Sequence, residues 1–334
     1  MAWLKRLTWK QAIGIIFLIF ILIYPLLGAS NYHLHLFILF FIWGMVATNW
    51  NLLMGYAGIT SLGNIGFLAI GGYTSGILSK IYGLSPWMTI PIGGLVTCLL
   101  VTIFLGLPAL RLKGIYIALL TLIFADSLPS ILTQTRDITG GAMGLHVIPP
   151  LVEGMEKIHA YYICFAVFLS NLWIIYRVIN SSTGLAFVAL RDSENFAYCL
   201  GIDKYRERLK VFALSSLLTG IAGGFYVHSL GDISPTTLGI EPFLLTIAMM
   251  ELGGIGTLAG PILGAIVIVF GNEFLRLAGT LRLALLGGLI CIIILFFPGG
   301  IMQLVDRLEA WWRSIITRKE AKRLAEQIAK PKKI

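Results

Sequence analysis

Polar chemistry in this sequence concentrates in one run, Arg191-Asp192-Ser193-Glu194-Asn195, inside the stretch NSSTGLAFVALRDSENFAYCLGIDKYRERLKVFALSSLLTGIAGG from Asn180 to Gly224. Successive helical side chains fan around the axis, so five polar residues in a row leave polarity on every side of a helix, and hydrocarbon cannot enclose it. The run must meet water or protein. Ser181, Ser182 and Thr183 offer N-capping hydroxyls, Leu185, Val188, Ala189 and Leu200 an apolar face, and Gly201 a C-terminal stop. Together they predict one short helix over about 183–201.

A second group of candidates lies in apolar surroundings. Asp126 stands in ALLTLIFADSLPSIL, where an ionisable group costs on the order of 2.5 to 3.5 kcal/mol on insertion scales and needs a partner or water. Pro129, just after it, frees a backbone carbonyl nearby. The stretch NLLMGYAGITSLGNIGFLAIGGYTSG, from Asn51 to Gly76, is dense in glycine and small hydroxyl residues, with Thr60, Ser61 and Asn64 as polar groups that need partners inside a membrane. Close helix packing and a pathway lining are both open for it. A similar small-residue run, GGIGTLAGPILGA from Gly253 to Ala265, carries Thr257, and the two runs faintly resemble each other.

Enzymatic chemistry has no footing. There is no G-x-x-x-x-G-K-[ST] loop to cradle nucleotide phosphates, no H-E-x-x-H, no G-x-S-x-G, and the five histidines are scattered. Cys98, Cys164, Cys199 and Cys291 have no metal or redox spacing and read as packing thiols. The expectation is a chain that is not an enzyme and binds no metal or cofactor itself, so that energy must come from elsewhere.

The elements that position these residues are apolar helices. Mean hydropathy is +0.88, and 12% of residues are charged, which places the chain among all-α polytopic membrane proteins. A span needs roughly 20 mostly apolar residues. About ten runs qualify, some short or interrupted by glycine: Ile13–Leu27, Leu34–Met54, Ile59–Ser79, Met88–Leu107, Ile115–Leu132, Tyr161–Ile179, Leu209–Leu230, Pro242–Leu252, Leu258–Leu275 and Leu283–Phe297. The eighth is too short to cross as a straight helix and needs protein or a watery cavity over its free backbone groups.

Lys5, Arg6, Lys10, Arg111, Lys113, Arg177, Arg191, the 204–210 cluster and the basic end fall on one side of this arrangement. By the positive-inside rule both termini are then cytoplasmic. The net +9 is this bias and not a nucleic-acid footprint. The first apolar run lacks a small-residue cleavage site and reads as an uncleaved helix. Residues 1–301 are expected to form the transmembrane domain. Residues 302–334 form an amphipathic interfacial helix, with Leu304, Leu308, Trp311 and Ile315 on one face, and a basic tail suited to anionic lipid.

The pattern RDSENFAYCLGID, with Glu194, Ala197, Gly201 and Ile202, resembles the cytoplasmic coupling loop of branched-chain amino acid permeases of ABC importers. GYAG-x-x-SLG-x-x-x-F from Gly55, the 253–265 run, and the TGG-x-x-GL element at Thr139 to Leu145 resemble the same family, the last its LivM type. The resemblance runs from the second span to Pro298. It implies a bacterial inner-membrane importer made of this chain, a second homologous permease of LivH type, two ATP-binding subunits that hold ATP and Mg, and an external substrate-binding protein.

Leucine, isoleucine and valine would be the cargo, although permeases of the same kind carry urea or other amino acids. Arg191, Asp192, Glu194, Ala197 and Gly201 would contact the ATPase, and Thr60, Ser61, Asn64, Asp126 and Thr257 would line the path. The reading from another class is an ion-coupled secondary transporter, with Asp126 and Glu251 as carboxylates on the ion path. Such a transporter has no need of a coupling stretch.

Overall fold

The computed structural model describes residues 9–28, 30–112, 114–151, 156–279, 281–296, 299–304 and 307. Each predicted apolar run has its helix: α1 Trp9–Ile23, α2 Asn31–Asn51, α3 Asn64–Tyr82, α4 Pro86–Val101, α5 Ile115–Gln134, α6 Lys157–Ile179, α9 Lys204–Leu230, α10 Ile240–Gly253, α11 Gly260–Phe274 and α12 Leu281–Phe296. Between α6 and α9 lie two short helices, α7 Ser182–Asp192 and α8 Glu194–Cys199. Among the described residues five helical stretches, Asn31–Tyr56, Pro86–Ala109, Ile115–Gln134, Lys157–Ile179 and Lys204–Leu230, are long and apolar enough to cross a membrane. The protein is an all-α, multi-pass membrane protein. Lys5, Arg6, Lys113, Leu308, Trp311, Trp312, Ile315, Pro298 and the basic tail lie outside the described residues.

Lipid tails are as apolar as leucine, so burial alone does not drive these helices together, and close contact must. The sequence provides it in two ways. Phe37, Phe40 and Phe41 of α2 mesh with Tyr161, Phe165 and Phe168 of α6 and with Phe270 of α11, with ring centroids 5.2 to 6.2 Å apart. Around α9 the contact is backbone to backbone. A Cβ on Gly71 of α3 would lie 2.5 Å from Cα of Gly220, and one on Gly93 of α4 would lie 2.7 Å from the Gly71 carbonyl oxygen. The small-residue run of α3 is therefore a packing seam in its second half.

Two predicted boundaries move. The second run, expected to end at Met54, continues to Tyr56 through a π turn, Leu52–Tyr56, in which the Ala57 N–H reaches back to the Leu52 carbonyl. The third run does not start at Ile59: residues 57–63 are a non-helical bend, with Gly58 at φ +66°, and the helix begins at Asn64. A left-handed residue ends a helix readily when it is glycine. The shortness of the eighth run is real, since α10 has 14 residues. It meets α11 across a second bend, 254–259, where Gly254 and Gly256 have φ +115° and +79°.

At the opposite end the predicted TGG-x-x-GL loop is anchored. Thr139 Oγ donates to the Leu132 carbonyl at 2.6 Å, and Leu145 forms an antiparallel bridge with Ile233.

Candidate functional site: the coupling segment and two glycine bends

The predicted single helix over 183–201 is two helices with a break at Ser193, whose backbone is extended at φ −160°, ψ 110°. Ser181 caps α7 by accepting from Gly184 N–H, and Ser193 caps α8 by accepting from Phe196 N–H. A serine inside a helix can bond the backbone in a non-helical geometry, and here that competition wins. Gly201, at φ +77°, closes α8 as expected, with Ile202 N–H on the Ala197 carbonyl at 3.1 Å.

The expected apolar face is also corrected. Gly184 and Phe187 pack inward, Phe187 being 1% exposed, whereas Leu185 is 69% and Leu200 63% exposed. Gly184 lies so close to the Val178 and Ile179 carbonyls that a Cβ would overlap both, which fixes the inward face. Phe196 and Tyr198 join Leu185 and Leu200 on the outside. The result is an apolar cluster on a segment otherwise rich in charge.

The charges themselves are paired. Arg191 Nε donates to Asp192 Oδ1 at 3.0 Å, and its terminal nitrogen donates to the Gly55 carbonyl at 2.8 Å. Glu194 takes Arg208 and, at 3.7 Å, Lys204, while Arg208 also reaches the Leu112 carbonyl. Glu207, largely buried, pairs with Lys210 at 2.6 Å. Lys204 and Arg208 of the basic 204–210 cluster therefore hold this segment to the head of α9. That pairing had no local signal beyond the charges themselves.

A cavity of about 290 Å³ opens between these parts, lined among others by Gly58, Thr60, Ile117, Asp192, Glu194 and Arg208. Thr60 and three coupling charges, Arg191, Asp192 and Glu194, thus share one space. Ala197 is fully buried in α8, and Gly201 lies away from the cavity.

Thr257 is reached by another route. The carboxamide of Asn51 donates to the Thr257 carbonyl and accepts from Gly256 N–H, both at 2.8 Å. The two small-residue runs that look alike in the sequence thereby meet. A Cβ on Gly55 would overlap Asn51 Oδ1 and come within 2.5 Å of Gly256 N. Gly55 is glycine because two backbones touch there. Thr257 Oγ also accepts from Gly260 N–H at 3.1 Å, holding the start of α11.

Ser61 and Asn64 are fully buried. The Ser61 carbonyl accepts from the Trp50 indole at 2.6 Å, and both polar atoms of the Asn64 side chain have no partner among the described residues. Asp126 is not brought to this joint. It is exposed on α5, beside outward Leu122 and Ile123. Asn51, Gly55 and Arg208 are the residues that sequence reasoning passed over. Asn51 opens the first small-residue run, and an amide next to a glycine-rich bend was the available signal.

A family model described as branched-chain amino acid transport system / permease component matches residues 32–296. The chain is 30% identical over 281 residues to the high-affinity branched-chain amino acid transport system permease protein LivM of Salmonella typhimurium and to that of Escherichia coli, each match covering 76% of this chain and 66% of the relative. It is 26% identical over 262 residues to a probable LivM permease of Methanocaldococcus jannaschii, covering 67% of this chain and 76% of that one. The match thus spans 66% of the length of the two bacterial relatives. No solved structure matches significantly. These relatives are transport permeases, not enzymes, and because the family match takes in both glycine bends and the coupling segment, the chain belongs to the branched-chain amino acid transport system permease component family.

Proposed function

We propose that this chain is the LivM-type permease subunit of an ATP-driven importer for leucine, isoleucine and valine in the bacterial inner membrane. Its partners are a LivH-type permease, two ATP-binding subunits that carry ATP and Mg, an external substrate-binding protein and membrane lipid, with no nucleic acid. Both termini are cytoplasmic in this reading, residues 1–301 form the permease domain, and 302–334 lie at the membrane surface.

One observation carries it: Leu185, Phe196, Tyr198 and Leu200 are 63 to 78% exposed on a charged loop between two spans. That patch is apolar, yet the pairing charges around it keep it out of hydrocarbon, so a protein surface is the fitting cover. The ATPase is that surface, and Arg191, Asp192 and Glu194 meet it with Ala197 and Gly201 shaping α8. Thr60, Ser61, Asn64 and Thr257 line the path on this chain.

Asp126 belongs to the same reading from the other side. A carboxylate exposed on an apolar helix cannot face lipid cheaply, so the α5 face around it abuts the second permease and the cargo path.

Co-purification tests the proposal. The tagged chain is expected to bring down an ATPase and a second permease, and the reconstituted complex to take up labelled leucine with ATP, in competition with isoleucine and valine. Uptake by the chain alone on an ion gradient would overturn it.

A further inference from the structure

We infer that Asn51 is a positioning residue for transport: its carboxamide locks the π turn that leads into the 57–63 bend to the 254–259 bend, so that a pull on Arg191 moves both as one gate. This rests on the importer reading for the word transport, but not for the lock itself. Three contacts converge on a small volume. Asn51, 2% exposed, bonds the Gly256 N–H and the Thr257 carbonyl. Gly55 touches Gly256 backbone to backbone. Arg191 donates to the Gly55 carbonyl, and a Cβ on Gly58 would lie 2.5 Å from Arg191 Cγ.

Each bend is a place where a helix stops inside the protein and leaves backbone groups open, and such breaks are where membrane transporters absorb motion. A single neutral amide is the bridge between them. It holds with two hydrogen bonds of ordinary strength, enough to keep a register and weak enough to be rearranged. The coupling segment grips the first bend through the Arg191 hydrogen bond to the Gly55 carbonyl; the second it only abuts, a Cβ on Gly256 standing 3.4 Å from the Arg191 terminal nitrogen, and the hydrogen bonds across to it come from Asn51. Without the amide, the first bend would move and the second would lag.

The test uses the full complex in lipid nanodiscs; distances are read with the native cysteines replaced and spin labels at Thr60 and Ala259, exposed positions on the two bends, and uptake and ATP hydrolysis are read on the unlabelled complex. In the parent the label–label distance is expected to be narrow. Asn51→Ala should broaden and lengthen it, and should lower uptake at least tenfold while ATP hydrolysis continues, an uncoupling that a purely structural role would not produce. Asn51→Asp keeps the acceptor for Gly256 N–H and loses the donor to Thr257. It should give an intermediate distribution and serves as the deciding variant if Asn51→Ala does not fold. An unchanged distance distribution in the folded variant overturns the inference, and so does widening with uptake and ATP use lost in parallel. Should the unsubstituted complex show no ATP-driven uptake, the importer reading fails while the distance measurement still decides the lock.

Discussion

The two ends of the long helices are closed by opposite means. At the coupling end the ion pairs are partly exposed, and the hydrogen-bonded bridge between the glycine bends is one amide. At the other end the closure is buried. His228 of α9, 2% exposed, has Nδ1 2.7 Å from the Pro149 carbonyl and Nε2 2.9 Å from Ser75 Oγ, with Thr89 Oγ 2.9 Å from Ser75. A carbonyl can only accept, so Nδ1 carries the proton and Nε2 accepts from Ser75. Lys80 adds a bond to the His146 carbonyl at 2.7 Å, and Leu145 and Ile233 exchange two backbone bonds at 2.8 and 2.9 Å.

A buried network that loses one member strands the others out of reach of water, whereas an exposed ion pair that breaks is rehydrated. The difference teaches where this molecule is built to yield. It is rigid where α3, α4, α9 and the 139–151 loop join, and compliant where the coupling segment meets the glycine bends.

The largest expected effect breaks the rigid end. His228→Leu strands the Pro149 carbonyl, at about 1–3 kcal/mol, and leaves Ser75 with Thr89 alone as partner. Thermal unfolding in detergent should move down by several degrees, with faster proteolysis in the 139–151 loop. An unshifted transition would remove the contrast between the two ends.

Next comes the path. Asp126→Leu makes α5 easier to insert on its own, yet uptake is expected to be lost, and the second permease to be recovered at reduced yield. Normal uptake from a stable complex would show that the carboxylate faces neither cargo nor partner.

At the compliant end the signature is reversed, because function should fall while the fold holds. Arg191→Glu combined with Glu194→Arg removes partly exposed contacts, so the unfolding transition should fall by less than in His228→Leu while coupled uptake is abolished. Wild-type ATPase docking and uptake in that double variant would sink the coupling assignment.

The smallest effect is a labelling pattern that sharpens the comparison without disturbing either end. Cys199 is exposed on α8 and Cys164 is buried. An impermeant maleimide should label Cys199 in inside-out vesicles stripped of ATPase, but not in intact cells, and should leave Cys164 unmodified from both sides. Labelling of Cys199 from outside would invert the proposed orientation.

Some of the candidate site was legible beforehand and some was not. That Arg191 and Glu194 lie on short helices outside the spans and that Gly201 ends the second was legible because polarity around a helix and a glycine stop are written within a few residues. The break at Ser193 was missed because a serine flanked by charges reads equally well as helix or as cap, and only its extended backbone distinguishes the two. Leu185 and Leu200 were assigned inward because periodicity shows that a face is apolar, not what covers it.

By itself the sequence determined the membrane class, the order of the helices, the short α10 and the polar loop between α6 and α9. These depend on hydropathy summed over a span and on charge in short loops, which are local properties. Tertiary structure alone decided that Asn51 meets Gly256, 205 residues away, that His228 meets Pro149, 79 residues away, and that Gly55 and Gly71 are close-contact glycines and not turn glycines. A hydrogen bond between distant residues, or a missing Cβ where two backbones touch, exists only once the helices are packed. The same asparagine, histidine or glycine in another packing would be spelled identically.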